Sequence, residues 1–473
     1  MDKTDSDQES PLDAPELAPE WQWLLCEGSC RLESDSLSGG LTSWQKMMLD
    51  EQVQLQKRGL VRIPYAQSWL WTDRSLSQAS DWSTAVFKSK LVPIGASVID
   101  GCCGAGVDLA AFGLIGGATG IEQDPLLCRI AEHNAAAIES SVACHQGDVL
   151  QEVTSPGNEN TWLHVDPDRR ATGRKSTTAE DFSPPIDQLL EVADKAFAGA
   201  IIKIAPSTQI SSSLASKLSQ RCTRVWVGSG TECKQQLLLL GYARNRLLEF
   251  AANSSPDQFR QLSAEKGSAR KADTPLPMSA AVWLPNRYGW PEVQSGSGQA
   301  REPVILLGED TSNDHPDTEN AVDHWSWSDD PYGSANTDFA KNPGRFVFDI
   351  HRILHVAKLA REWASSNEIM PLSDSSGYFT SDEVPAAIAP WAQVFELIEV
   401  CPWDDRKLRK RLRSLDAGTV EVKNRLCKLD ASAAQKRYSR PEGSEEYSLL
   451  VTLLRGKQRC LICRRISNTS GPL

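Results

Sequence analysis

One carboxylate precedes a glycine-rich turn and two follow it, and they are the residues of this chain best placed to do chemistry. The run Val98-Ile-Asp-Gly-Cys-Cys-Gly-Ala-Gly sets Asp100 directly before Gly101, Cys102, Gly104 and Gly106. Glycines let a backbone approach a ligand closely and adopt positive φ. At the carboxyl end of a first strand, such a turn lies where open α/β sheets bind ligands. Its G-x-x-G-x-G spacing departs from the G-x-G-x-x-G of dinucleotide folds, and no G-x-x-x-x-G-K-[ST] is present at this turn, so a P-loop is excluded. S-adenosylmethionine (SAM) has no phosphate, and its cationic sulfonium and amino group suit an acid at a strand end. On that reading Asp100 serves the cationic end of SAM, Glu122 accepts from both ribose hydroxyls, and Asp148 accepts from the adenine amino group. Each acid alone reads better as a helix cap or turn residue than as a ligand. Their joint register, at three successive predicted strand ends, is what points to a cofactor.

A fourth predicted strand ends in His164-Val-Asp-Pro-Asp-Arg-Arg. Asp166-Pro167 is similar to the start of the [DN]-P-P-[YFW] motif of amino-directed methyltransferases, in which the acid or amide accepts from the target amine and the aromatic stacks on a base. The third and fourth positions here are Asp168 and Arg169, so the aromatic platform is missing. Asp166 and Pro167 are the candidate catalytic pair. Arg169, Arg170, Arg174 and Lys203 are candidates for holding an acceptor phosphate. The alternative is that Asp166-Pro167 is only a turn and the arginines are surface charges.

A longer set of motifs carries a family resemblance. Asp166-Pro-Asp-Arg-Arg, then Gly173-Arg and Asp181-Phe-Ser-Pro-Pro, resembles a stretch of bacterial class I SAM-dependent methyltransferases that carry a C-terminal THUMP-like domain. The resemblance extends to Trp71-Thr-Asp-Arg-Ser-Leu-Ser-Gln-Ala-Ser, to Lys203-Ile-Ala-Pro, to Val420-Glu-Val-Lys-Asn-Arg and to the terminal Cys463-Arg-Arg. It covers most of residues 60–240 and 345–468. It implies SAM as cofactor and, because THUMP domains bind structured RNA, an RNA acceptor. The alternatives are a small-molecule or protein methyltransferase, or a SAM- and RNA-binding module without catalysis. A fainter similarity joins the catalytic region to cap-guanine-N2 methyltransferases. The family commonly has Gly where Leu426 stands here, after the basic pair Lys423 and Arg425.

The elements that must position these residues alternate. Residues 43–57 and 76–90 have helical apolar spacing. Strands are predicted at 97–100, 118–122, 142–146, 162–166 and 200–205. Helices follow the first two, the second opening at Asp124-Pro125 with proline at its first position. Strands alternating with helices argue for a parallel sheet with crossovers, and residues 223–228 and 232–240 continue the pattern. Toward the end come a helix at 350–365, another at 404–415, a strand at 419–423 and a hairpin of strands 447–454 and 459–465 about Arg455-Gly-Lys-Gln. The expected fold is α/β: a Rossmann-like class I methyltransferase sheet with an N-terminal helical segment and a small α+β C-terminal domain. The boundaries read as an acidic disordered tail at 1–40, the helical segment at 41–95, the SAM-binding domain at 96–250, an irregular acidic insertion or linker at 251–344, and the basic THUMP-like region at 345–473.

Charge sharpens this division. The net charge is −12, yet residues 401–473 carry seventeen Lys and Arg against eight Asp and Glu, an excess that points to a polyanion partner. RNA is the expected partner of that tail, with Lys423, Arg425, Lys428 and the hairpin cations as contacts; a merely solvated basic face is the other reading. No apolar run reaches the ~18 residues of a membrane span, and the polar N-terminus does not look like a signal peptide. Twelve scattered Cys suit reduced thiols in a cytoplasm. Cys460-Leu-Ile-Cys463 lacks a second ligand pair, and His351 and His355 lack an H-E-x-x-H, so no metal is expected. Fifteen Trp are many for this length, and the sequence offers no account of them.

Overall fold

The computed structural model describes residues 17–33, 40–153, 160–169, 176–254, 279–291, 302–308, 339–372, 377–386, 388–425 and 427–466. It divides into two compact units, Met1–Val225 with Gln235–Met278 and Leu284–Ile305, and Trp226–Lys234 with Ser279–Trp283 and Leu306–Leu473.

The first unit begins with helices fixed by their own caps. Thr42 and Gln45 form a capping box on Ser43–Gly59, Thr72 and Ser75 form another on Asp73–Gln78, and Asp81 caps Trp82–Lys90. Each side chain satisfies a backbone N–H that the first helical turn leaves without a partner. Part of the acidic tail is also helical, at Pro19–Trp23 and Ser29–Glu33; residues 1–16 and 34–39 lie outside the described residues. Six of the fifteen tryptophans gather here. Trp69, Trp71, Trp82 and Trp290 are buried in one apolar cluster, against which Trp21 and Trp23 pack. Tyr65 stacks on Trp69 at 6.2 Å and meets Trp82 edge-on at 4.9 Å.

Behind these helices stands the sheet. Its strands are β1 (Ser97–Gly101), β2 (Ala118–Glu122), β3 (Val142–Gln146), β4 (Thr161–Val165), β5 (Gly199–Ile204), β6 (Cys222–Ser229), β7 (Glu232–Gly241), β8 (Ser279–Leu284) and β9 (Val304–Leu307). The order is β3-β2-β1-β4-β5-β7-β6-β8-β9. Strands β1 to β5 are parallel, as their alternation with helices requires. Strand β7 runs antiparallel to β5, because only Gly230-Thr231 joins β6 to β7, too short a connection for a crossover. The acidic stretch at 251–344 is not structureless throughout, since β8 and β9 fall within it. The order reverses at β1 and β4, so the carboxyl ends of these two strands flank the crevice where such sheets hold ligands.

The second unit, besides its parts of β6 to β9, holds strands β10 (Phe346–Ile350), β11 (Met370–Pro371), β12 (Phe379–Ser381), β13 (Ala392–Pro402), β14 (Ala417–Asn424), β15 (Glu445–Leu454) and β16 (Lys457–Arg465), in the order β11-β12-β10-β13-β16-β15-β14. The helix expected at 350–365 is two helices, Arg352–Val356 and Ala360–Ser366, and Lys358 takes φ 57° in the break between them. The terminal hairpin turns on Arg455 and Gly456, both at positive φ, the conformation that fits the twist of a two-residue connection. Strands β14 and β15 are parallel, and the helix Ala431–Tyr438 lies in their crossover.

Candidate active site

The glycine turn is shaped by what packs behind it. A Cβ on Gly101 would stand 2.6 Å from Val149 Cγ2, so only glycine lets β1 pass there. Gly106, at φ 82°, opens the helix Val107–Gly113, and Ala131 would meet its Cβ at 2.9 Å. Cys102 takes φ 57° and donates its N–H to the Ile121 carbonyl at 2.8 Å, which anchors the turn to β2.

Glu122 ends β2 and folds its carboxylate back over the turn. It accepts from the Gly104 N–H at 2.9 Å and the Asp124 N–H at 3.1 Å. Burial raises its pKa against the pull of these donors. Asp148 caps its short helix by accepting from the Leu150 N–H at 2.9 Å. Both acids therefore do perform local structural work, while a carboxylate's remaining lone pairs can still take hydroxyl or amino donors. Burial, joined by the fields of Glu122, Asp166, Asp100 and Asp148, pushes the Cys102 thiol well above its usual range.

Asp100 sits deeper than the sequence reading has it. Its carboxylate is fully buried, and its first partner is His164 Nδ1 at 2.6 Å, directly opposite in the β1–β4 register. Its second oxygen is buried without a hydrogen-bond partner among the described residues. Lys88 approaches from the helix Trp82–Lys90, fully buried, with Nζ 2.7 Å from Asp108 Oδ2, 3.3 Å from Ser80 Oγ and 3.4 Å from His164 Nε2. Burial alone would raise the Asp108 pKa, but the charges of Lys88, His164 and Lys203 hold it well below the carboxylate range. Asn134, on the helix Pro125–Ala136, ties the segment before Asp73–Gln78 to the turn, donating to the carbonyls of Leu70 and Ala105 at 3.1 and 3.0 Å. Lys88, Asp108, His164 and Asn134 lie outside the residues proposed from sequence. No local pattern marks a lysine in a helix as buried.

Asp166 follows β4 and donates its N–H to the Gly101 carbonyl at 3.2 Å, which fixes it beside the turn. Its carboxylate is one-third exposed and receives Lys203 Nζ at 2.5 Å. Lys203 was expected to hold an acceptor phosphate; instead its ammonium, only 14% exposed, is committed to Asp166. Although burial lowers a lysine, Asp166 and Asp108 raise this one above its ordinary value, so it stays charged.

Pro167 is buried, and Asp168 exchanges backbone hydrogen bonds with Ser183 at 2.8 and 3.0 Å. The Asp168 carboxylate accepts from Arg74 Nη2 at 2.9 Å and Gln78 Nε2 at 3.4 Å. Three separated motifs, at 71–80, 166–170 and 181–185, thus meet at the loop after β4. Arg169 is half-buried, and its carbonyl accepts from the Ser176 N–H at 2.9 Å; Arg170 and Arg174 lie outside the described residues. Cys460 and Cys463 are buried in β16, and His351 caps Arg352–Val356. Among the described residues no group of three His, Cys, Asp or Glu could hold a metal ion, and no helix is long and apolar enough to cross a membrane.

This architecture has counterparts. Residues 392–465 match the family described as THUMP domain-like. Two curated relatives, uncharacterised S-adenosylmethionine-dependent methyltransferases from two strains of Mycobacterium tuberculosis, are 24% identical over 388 residues, 81% of this chain and 84% of theirs. The crystal structure of a candidate methyltransferase from Porphyromonas gingivalis W83 superposes with a TM-score of 0.63 at 17% identity, covering 95% of this chain and 98% of that one. The chain has the fold of a class I SAM-dependent methyltransferase with a C-terminal THUMP-like domain.

Proposed function

We propose that this chain transfers a methyl group from SAM to an amino group on an RNA base. The methyltransferase class and its cofactor rest on the fold together with relatives of that description spanning four-fifths of the chain. SAM, when bound, supplies a methyl carbon on an already activated sulfonium. The residues present fit it: a left-handed glycine turn, two half-engaged carboxylates in Glu122 and Asp148, and the orphaned oxygen of Asp100 suit hydroxyl and amino donors.

The observation that carries the amino acceptor is Asp166. Lys203 occupies Oδ2, so Oδ1 is the oxygen left to accept from a target N–H and to receive its proton. The residue sits at the strand end beside the glycine turn, its N–H held by the Gly101 carbonyl, where positioning a nucleophile in line with the methyl supplies most of the rate. The basic composition of residues 401–473 and the THUMP-like match support RNA as the acceptor. The test is incubation with methyl-labelled SAM and total cellular RNA, followed by digestion to nucleosides. Label in a nucleoside methylated on an exocyclic amine is expected. Label confined to protein or small molecules would overturn the RNA reading and leave the methyltransferase class in place.

A further inference from the structure

We propose that the outer face of the helix Asp405–Ser414 is the surface on which the second unit docks the phosphate backbone of RNA, a proposal that rests on the RNA reading above. Residues 406–413 hold six cations, Arg406, Lys407, Arg409, Lys410, Arg411 and Arg413. Leu408 and Leu412, one turn apart, are buried in the unit's core and fix which way the helix faces. With ~100° per residue, Arg406, Lys410 and Arg413 fall within an arc of about 60° opposite those leucines, along about 10 Å of helix.

Several cations elsewhere in the tail are already engaged. Lys423 and Arg425 bind Asp349 at 3.1 and 2.7 Å, and Arg464 binds Glu445 at 3.1 Å. Arg455 donates to the Lys341 carbonyl at 2.6 Å and to Asn342 at 3.0 Å. On the helix itself, Arg409 binds Asp405 and Arg411 binds Glu399. Arg406, Lys407, Lys410 and Arg413 are exposed and have no carboxylate partner among the described residues. Lys428, Lys436, Lys457 and Arg459 also have no carboxylate partner among the described residues, but they are spread over separate elements, whereas Arg406, Lys407, Lys410 and Arg413 lie within eight residues of one helix.

The occupant follows from the chemistry of the face. Guanidinium groups match phosphate oxygens with paired donors. A helix that lies on a membrane needs an exposed apolar face, and the apolar face of this one is packed inside the unit. Contacts of these cations to phosphate oxygens carry no sequence information.

The test uses the full chain and a fluorescein-labelled 20-nucleotide RNA hairpin, with anisotropy titrations from ~50 to 200 mM salt. The variant is Arg406→Gln/Lys410→Gln/Arg413→Gln, and the control, Lys46→Gln/Lys57→Gln/Lys217→Gln, removes equal charge from exposed positions of the first unit. At ~0.7 to 0.9 per phosphate contact, the helix variant should lose about 2 from its log–log salt slope and at least ~10-fold in affinity. The control should change neither. Unchanged slope and affinity in the helix variant would overturn the proposal, as would equal losses in the control. A wild-type chain that ignores RNA but binds poly-Glu or anionic vesicles, with binding lost in the helix variant, overturns the partner named here. If RNA binding falls as expected while wild-type protein methylates no RNA, the surface stands and the functional reading fails.

Discussion

Replacing Lys88 with Met should destabilise the first unit by about 3–5 kcal/mol, the range for removing one partner of a buried ion pair. The upper half is favoured by the geometry. Lys88 is fully buried, Asp108 is 9% exposed, their contact is 2.7 Å, and the only other described hydrogen bond to that carboxylate is from Ser80 Oγ at 2.8 Å. Methionine fills similar space, so the lost charge dominates over a cavity. For a unit of this size each kcal/mol shifts Tm by ~2–4 °C, so differential scanning calorimetry should find a fall of roughly 6–20 °C. Adding Asp108→Asn should recover most of it, because the uncompensated charge is then gone. The pH dependence fixes the sign. In the native chain Asp108 is held below its unfolded value, so its contribution is present above the unfolded carboxylate pKa of ~3.9 and is lost as pH falls through the depressed native one. In Lys88→Met the strongest opposing charge is gone, and burial raises the folded pKa. The penalty then grows as pH rises above ~3.9 toward that raised value, and the gap to the parent should narrow between ~pH 7 and 5. A Tm within ~2 °C of the parent, or no recovery in the double variant, would refute the pairing argument.

Other outcomes follow from the same contacts. Glu122→Ala should weaken SAM binding by about 1–3 kcal/mol, the scale of lost hydrogen bonds to a charged group; calorimetry with unchanged affinity would remove Glu122 from the cofactor site. Asp166→Asn and Lys203→Met should each leave SAM affinity within ~3-fold and lower kcat by ~10²-fold or more, Lys203 acting through Asp166. A collapse of SAM binding in either would make the pair structural. Trp71→Ala should cost about 3–5 kcal/mol, read as a shift of the urea midpoint without a change in m; an unaltered midpoint would mean that the aromatic cluster does not support the unit.

Much of the site was legible because its signals are local. Gly106 must take a left-handed φ, Asp124-Pro125 opens a helix, and Arg455-Gly456 closes a hairpin, all decided within a few residues. The acids at 100, 122 and 148 were readable as a set because parallel strands bring their carboxyl ends to one edge. The antiparallel β7 was not legible, since apolar alternation carries no strand direction and only the two-residue link to β6 decides it.

The sequence by itself determined the alternation of β1 to β5 with helices, the terminal hairpin, the glycine turn, the candidate acids, the Asp-Pro loop and the basic character of the tail. Only the tertiary structure decided which charges are spent and which remain free for a ligand. Lys203 goes to Asp166, Lys423 and Arg425 go to Asp349, and Asp100 faces His164 sixty-four residues away. Composition counts all these charges alike. An ion pair forms where folding removes water and brings two side chains within ~4 Å, a condition set by contacts between distant strands and not by neighbours in the chain.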